Sequence, residues 1–168
     1  MSQKVSVLFV CLGNICRSPT AHGIFEKLVE QNDLQDQIEI DSAGTGDWHI
    51  GKSPDGRAQS YAQKRGYDLS HLRARQISPS DFADFDYILA MDEQNLADIQ
   101  QMQPEGYSGH ISLFLDFLEG GQEGQEGQEV PDPYYGGDQG FELVLDMVEQ
   151  ASSNLLDHIV ARHLNADH

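Results

Sequence analysis

Hydrophobic positions along the chain change period several times, and each change marks an element. Val5-Ser6-Val7-Leu8-Phe9-Val10 is a nearly unbroken run of β-favouring residues, as expected for a strand buried on both faces. A glycine-containing loop follows. Ser18-Pro19 then reads as an N-cap with proline at the first helical position. Ala21, Ile24, Phe25, Leu28 and Val29 recur at the spacing of one helical face. Further on, the pattern predicts a short strand at Ile38–Ile40 and a helix from Pro54 to about Arg65, stopped by Gly66. A strand at Tyr87–Met91, a helix from Glu93 to Met102 and a strand at His110–Phe114 come next. The last helix runs from Gly140 to Leu164, with Phe141, Val144, Leu145, Val148, Leu155, Leu156, Ile159 and Val160 on its apolar stripe.

Strands alternating with helices argue for a parallel sheet covered on both faces, a small doubly wound α/β fold. With 168 residues the chain reads as a single domain, 1–168. Residues 120–129 carry Gly-Gln-Glu three times over and read as a solvated loop insertion. No apolar run approaches the roughly 20 residues of a membrane helix, and no signal-peptide pattern opens the chain. The sequence therefore reads as cytoplasmic.

Charge is the largest deviation. Ten Lys+Arg stand against 28 Asp+Glu, a formal net charge of −18. Such a surface repels nucleic acid and anionic membranes, so neither is expected as a partner. An anion could bind only where a local device overrides the global field. The acidic groups Asp81, Asp84 and Asp86, and the pair Asp92-Glu93, read most simply as solvated surface, with anchoring of the loop that carries Asp132 as a second possibility for Asp92.

The local device is the loop after the first strand. Cys11-Leu12-Gly13-Asn14-Ile15-Cys16-Arg17-Ser18 separates a thiol from a guanidinium by five residues, between a strand's C-terminal end and a helix N-terminus. Open α/β sheets put ligands there. Loop amides and the helix dipole add positive potential, and Arg17 adds a planar fork matched to two phosphoryl oxygens. Such surroundings favour the thiolate, making Cys11 a candidate nucleophile, with Ser18 able to donate to its sulfur. Expelling a phenolate or an alkoxide also needs an acid. Asp132, stiffened between Pro131 and Pro133 and followed by Tyr134 and Tyr135 as an aromatic wall, is the candidate.

Plainer readings exist for several of these residues. A lone Cys11 would be a buried small hydrophobe, but Gly13, Arg17 and Ser18 in register favour catalysis. Cys16 serves equally as a packing thiol or a redox partner. Asp132 between prolines could be a turn residue, and Tyr134 and Tyr135 could cover core. The histidines His49, His158, His163 and His168 have no ligand spacing, so no metal and no cofactor are expected.

Taken together, V-C-L-G-N-I-C-R-S-P at Val10–Pro19, D-S-A-G-T at Asp41–Thr45, H-L-R-A-R at His71–Arg75, Met91-Asp92 and D-P-Y-Y at Asp132–Tyr135 resemble the low-molecular-weight protein tyrosine phosphatases. The resemblance implies a three-layer fold with a four-stranded parallel sheet in flavodoxin-like order, 2-1-3-4. It implies Cys11 as nucleophile, Arg17 as phosphate clamp and Asp132 as general acid and base. Leu12, Gly13, Asn14, Ile15 and Cys16 would form the phosphate loop, with Ser18, Ser42 and His71 supporting it. Trp48 would stand on the cleft rim, opposite Tyr134 and Tyr135, and Cys16 could pair with Cys11 under oxidation. Implied partners are phosphotyrosine proteins, an opposing tyrosine kinase and inorganic phosphate as product, for a monomeric enzyme. The alternatives are a thiol-dependent arsenate reductase, disfavoured because no cysteine pair lies outside the loop, a protein-arginine phosphatase, against which Ile15 argues, and a non-catalytic phosphotyrosine-binding module.

Overall fold

The computed structural model describes residues 4–14, 17–46, 50–107, 109–121 and 137–164. Strand β1 (Val5–Cys11) leads to helix α1 (Arg17–Gln31), β2 (Ile38–Gly44), α2 (Gly56–Lys64) and a short α3 (Asp81–Asp84). Then come β3 (Tyr87–Ala90), α4 (Glu93–Met102), β4 (His110–Leu113), a 3-10 stretch (Phe114–Gly121) and α5 (Gly137–Ile159) with a π-helical end (Val160–Leu164). The strands form one parallel sheet in the order β2-β1-β3-β4. That is the expected topology.

β1 is buried throughout because neighbours flank it on both sides and helices cover both faces. Its side chains alternate between two cores. Val5, Val7 and Phe9 pack with Phe25 of α1, Phe114, and Val148 and Leu155 of α5. Leu8 and Val10 pack with Ile88, Phe82 and Ile99 on the other face, under α3 and α4. Phe9 meets Phe25 and Phe114 edge to face, at centroid distances of 5.8 and 5.1 Å. Truncating such a fully buried ring costs about 3–5 kcal/mol.

Several boundaries differ from expectation: β2 runs on to Gly44, β3 ends at Ala90 and α5 starts at Gly137. α1 begins at Arg17, and Ser18 lies inside the helix because its hydroxyl is engaged by the preceding loop. α2 begins at Gly56, since the Asp55 carboxylate accepts the amides of Arg57 and Ala58 and so fixes the start. The strand at His110 stops at Leu113, where the chain tightens into 3-10 geometry, and α3 has too few residues to show a period.

Candidate active site

Cys11 ends β1 opposite Gly44 of β2 and is 3% exposed. Its sulfur lies 3.0 Å from Ser18 Oγ and accepts the Asn14 amide at 3.2 Å. One amide donor and one hydroxyl thus converge on the sulfur at the head of α1, where the helix dipole adds positive potential. Asn14 makes the turn possible. Its φ of +56° is in the left-handed region, which asparagine tolerates better than most residues. Its side chain then holds that conformation: Nδ2 donates to Ser18 Oγ at 2.8 Å, and Oδ1 accepts the Arg75 amide at 3.0 Å.

The loop main chain is joined to the strand beside it. The Thr45 amide donates to the Cys11 carbonyl and the Gly46 amide to that of Leu12, both at 2.9 Å. Gly44 has to lack a side chain, because a Cβ there would stand 2.8 Å from the Leu12 carbonyl oxygen and 3.1 Å from the Gly13 carbonyl carbon.

Arg75 supports this arrangement from beneath. Its guanidinium binds Asp81 through two parallel 3.0 Å bonds and Asp41 through Nε at 3.0 Å. Burial alone would lower the Arg75 pKa, but the bonds to Asp81 and the charges of Asp41 and Asp81 outweigh it, and the net shift is upward. Asp81 also accepts the Ser78 amide at 2.8 Å and is buried. It is therefore not the solvated surface residue the acidic patterning suggested; the pairing with Arg75 explains its burial. Asp86 likewise is engaged, accepting the Ser6 amide at 2.9 Å.

Arg17 donates through Nη1 to Asp92 Oδ2 at 2.9 Å. The other Asp92 oxygen caps α4 by accepting the Asn95 amide at 2.8 Å. A guanidinium of one helix is thereby aimed by the N-cap of another, so Asp92 anchors Arg17 as well as α4.

Ser42 and His71 occupy a different network. Ser42 Oγ lies 3.0 Å from Nδ1 of the buried His22, whose Nε2 is 3.7 Å from Glu26. Glu26 also meets His71 Nε2 at 3.0 Å, and the His71 side chain is half exposed. The hydrogen bond from His22, and the charges of His22 and His71, lower the Glu26 pKa against a burial effect that would raise it. Among the described residues, His71 therefore joins His22 and Ser42 through Glu26, whereas Cys11, Asn14, Ser18 and Arg75 form the loop's own network. His22 goes unnoticed in the sequence, and Arg75 enters there only as part of the His71–Arg75 motif, with no role. Neither has a spacing that betrays its partner, because both pairings span separate elements.

Leu12 is exposed beside the thiol, at 46% of its surface, and Gly13 follows it on the loop. Ile15, Cys16, Trp48, Asp132, Tyr134 and Tyr135 lie outside the described residues, as does most of the Gly-Gln-Glu segment. No cluster of three or more metal-ligating side chains occurs among the described residues.

A strand-end thiol held by a loop amide and a helix-borne hydroxyl, on a 2-1-3-4 parallel sheet, is the arrangement of a cysteine-dependent hydrolase. The family model described as low molecular weight phosphotyrosine protein phosphatase matches residues 6–166, and the chain belongs to that family. It is 43% identical to the low molecular weight phosphotyrosine protein phosphatase of Schizosaccharomyces pombe, over 95% of this chain and 99% of that one. A crystal structure of a protein tyrosine phosphatase from Entamoeba histolytica superposes with a TM-score of 0.84 at 40% identity, covering 93% of this chain and 97% of the other. The crystal structure of a Drosophila arginine phosphatase superposes with a TM-score of 0.80 at 35% identity, covering 90% and 96%.

Proposed function

We propose that this chain hydrolyses phosphotyrosine monoesters in proteins in two displacements. The Cys11 thiolate attacks phosphorus, the bond from phosphorus to the tyrosine oxygen breaks, and Asp132 gives its proton to that oxygen. Water then attacks the cysteinyl phosphate, Asp132 takes a proton from it, and the thiolate leaves as inorganic phosphate is released. Arg17 binds two non-bridging oxygens, and the loop amides take the charge that develops on the phosphoryl group. The observation that carries the reading is the buried Cys11 sulfur placed 3.2 Å from the Asn14 amide and 3.0 Å from the Ser18 hydroxyl, contacts suited to hold a sulfur that first attacks and then leaves.

Turnover of p-nitrophenyl phosphate tests it. Cys11→Ser is expected to lose roughly 10⁴-fold or more in kcat. Asp132→Ala is expected to lose about 10²–10³-fold, and more for alkyl than for nitrophenyl leaving groups. Full rate in the serine variant would overturn the mechanism.

The Drosophila relative makes arginine phosphate a second substrate to try. The bulkier, apolar Ile15 in the loop favours phosphotyrosine, so a panel of phosphotyrosine and phosphoarginine peptides should show preference for the former. No helix among the described residues is long and apolar enough to cross a membrane. The setting proposed for the activity is the cytoplasm, with the enzyme a monomer acting against a tyrosine kinase.

A further inference from the structure

At the end of the sheet opposite Cys11, a groove of about 490 Å³ opens between the first residues of β3 and β4 and the π-helical end of α5. Its floor is the buried Tyr87 ring. Three imidazoles surround that ring, with centroids 5.3 Å (His110), 5.8 Å (His158) and 5.7 Å (His163) away. Nε2 of His163 lies 2.9 Å from the Tyr87 hydroxyl, and Nε2 of His110 lies 2.8 Å from Ser112 Oγ. Phe117 packs against both His110 and His158, at 5.8 and 5.2 Å. Arg162 completes the wall. The fold has thus gathered three of seven histidines and one of ten basic side chains on a chain of net charge −18. Sequence spacing hides this, because His110 of β4 is far in the chain from His158 and His163 at the end of α5.

We propose that this groove is a second anion site, which takes a small phosphate-bearing ligand and takes up protons as it binds. Several N–H donors around one ring suit a tetrahedral anion, whose many lone pairs they can share. The second ionisation of phosphate, near pH 6, also overlaps the titration of imidazole. Burial, then the positive charges of Arg162, His110 and His163, hold His158 below its ordinary pKa. Burial and Arg162 do the same to His110, against Asp116, which raises it. An arriving anion cancels those repulsions, so the imidazoles charge as it binds. The opposing groups are few. Asp86 lines the groove with one oxygen already accepting the Ser6 amide. Tyr107 stays neutral, its pKa pushed up to about 12 by burial, and its hydroxyl donates to the Phe85 carbonyl.

The test follows the imidazole resonances of His110, His158 and His163 by nuclear magnetic resonance, with inorganic phosphate or phenyl phosphate added at constant ionic strength against chloride. Cys11→Ser protein prevents hydrolysis of the ester. Saturable shifts in His110 and His158, and an apparent pKa raised by about half a unit or more, are expected. Arg162→Gln should weaken binding about fivefold, the loss of one charge-assisted contact at an exposed site. Tighter binding of phenyl phosphate would make the ligand an aromatic monoester, and equal or tighter binding of phosphate the free ion. Shifts that chloride reproduces, that do not saturate, or that survive Arg162→Gln undiminished would overturn the proposal.

Discussion

Two arginines in this molecule each gather several carboxylates at nearly the same distances, yet they serve different ends. Arg65 follows α2 and reaches Glu142, Asp146 and Glu149 on one face of α5, at 3.0, 2.9 and 2.8 Å. Its partners' side chains are 34–65% exposed. Arg75 binds Asp41 and Asp81 at 3.0 Å, but the Asp81 side chain is only 5% exposed, and the Arg75 amide holds Asn14. Bond length does not rank the two. An exposed pair exchanges protein contacts for water at little net gain, whereas removing one member of a buried pair strands a charge. Only Arg75, moreover, lies one hydrogen bond from the residue that shapes the Cys11 loop.

The sharpest test separates loop geometry from stability. Asn14→Gly keeps the left-handed backbone accessible but deletes the bonds to Ser18 and Arg75. We expect kcat to fall about 10²-fold, as misplacement of a reacting group does, with a small change in Tm. Asn14→Ala adds backbone strain of about 1 kcal/mol and should be both slower and less stable. Next in size, Arg75→Ala should lose about 3 kcal/mol in denaturant unfolding. For a chain of this length that is a fall of about 6–12 °C in Tm. Its turnover should drop as well. Arg65→Ala should cost about 1 kcal/mol or less and leave kcat unchanged. If Arg65→Ala and Arg75→Ala proved equal in both measurements, the distinction between the two clusters would fail.

The smallest effect is in alkali. The pKa of Tyr67 is pushed up from 10.0 to about 12, by burial first and then by its 2.6 Å bond to Glu149 in the Arg65 cluster. The folded state therefore holds this proton more tightly than the unfolded chain does. The resulting stability is complete below about pH 10 and is lost as the pH rises towards 12. Tyr67→Phe should flatten that limb of the unfolding curve, and near neutrality it should forfeit the contribution of the bond to Glu149. An unaltered alkaline limb would remove Tyr67 from the cluster's account.

Much of the fold is legible in the residue pattern because local rules decide it. Apolar runs mark the strands, a 3.6-residue period marks α1 and α5, and alternation of strands and helices implies the parallel sheet. Cys11, Asn14, Arg17 and Ser18 are legible for the same reason, being close in sequence. What sequence hides is pairing at a distance. Asp81 resembles its exposed acidic neighbours until Arg75 is brought to it, and Asp92 resembles surface until it is seen to hold both Arg17 and the first turn of α4. Ser42 meets His22 rather than a loop residue for a related reason, since the helix face that carries His22 is fixed by packing and not by motif.

β1 has no free edge: β2 and β3 pair with it on either side, and helices close both faces. A cysteine at its end cannot fray independently, because releasing it means unzipping the centre of the sheet. The main chain that carries the Cys11 nucleophile should therefore lose its amide-exchange protection, from Val7 to Val10, in the same cooperative step that melts the whole protein.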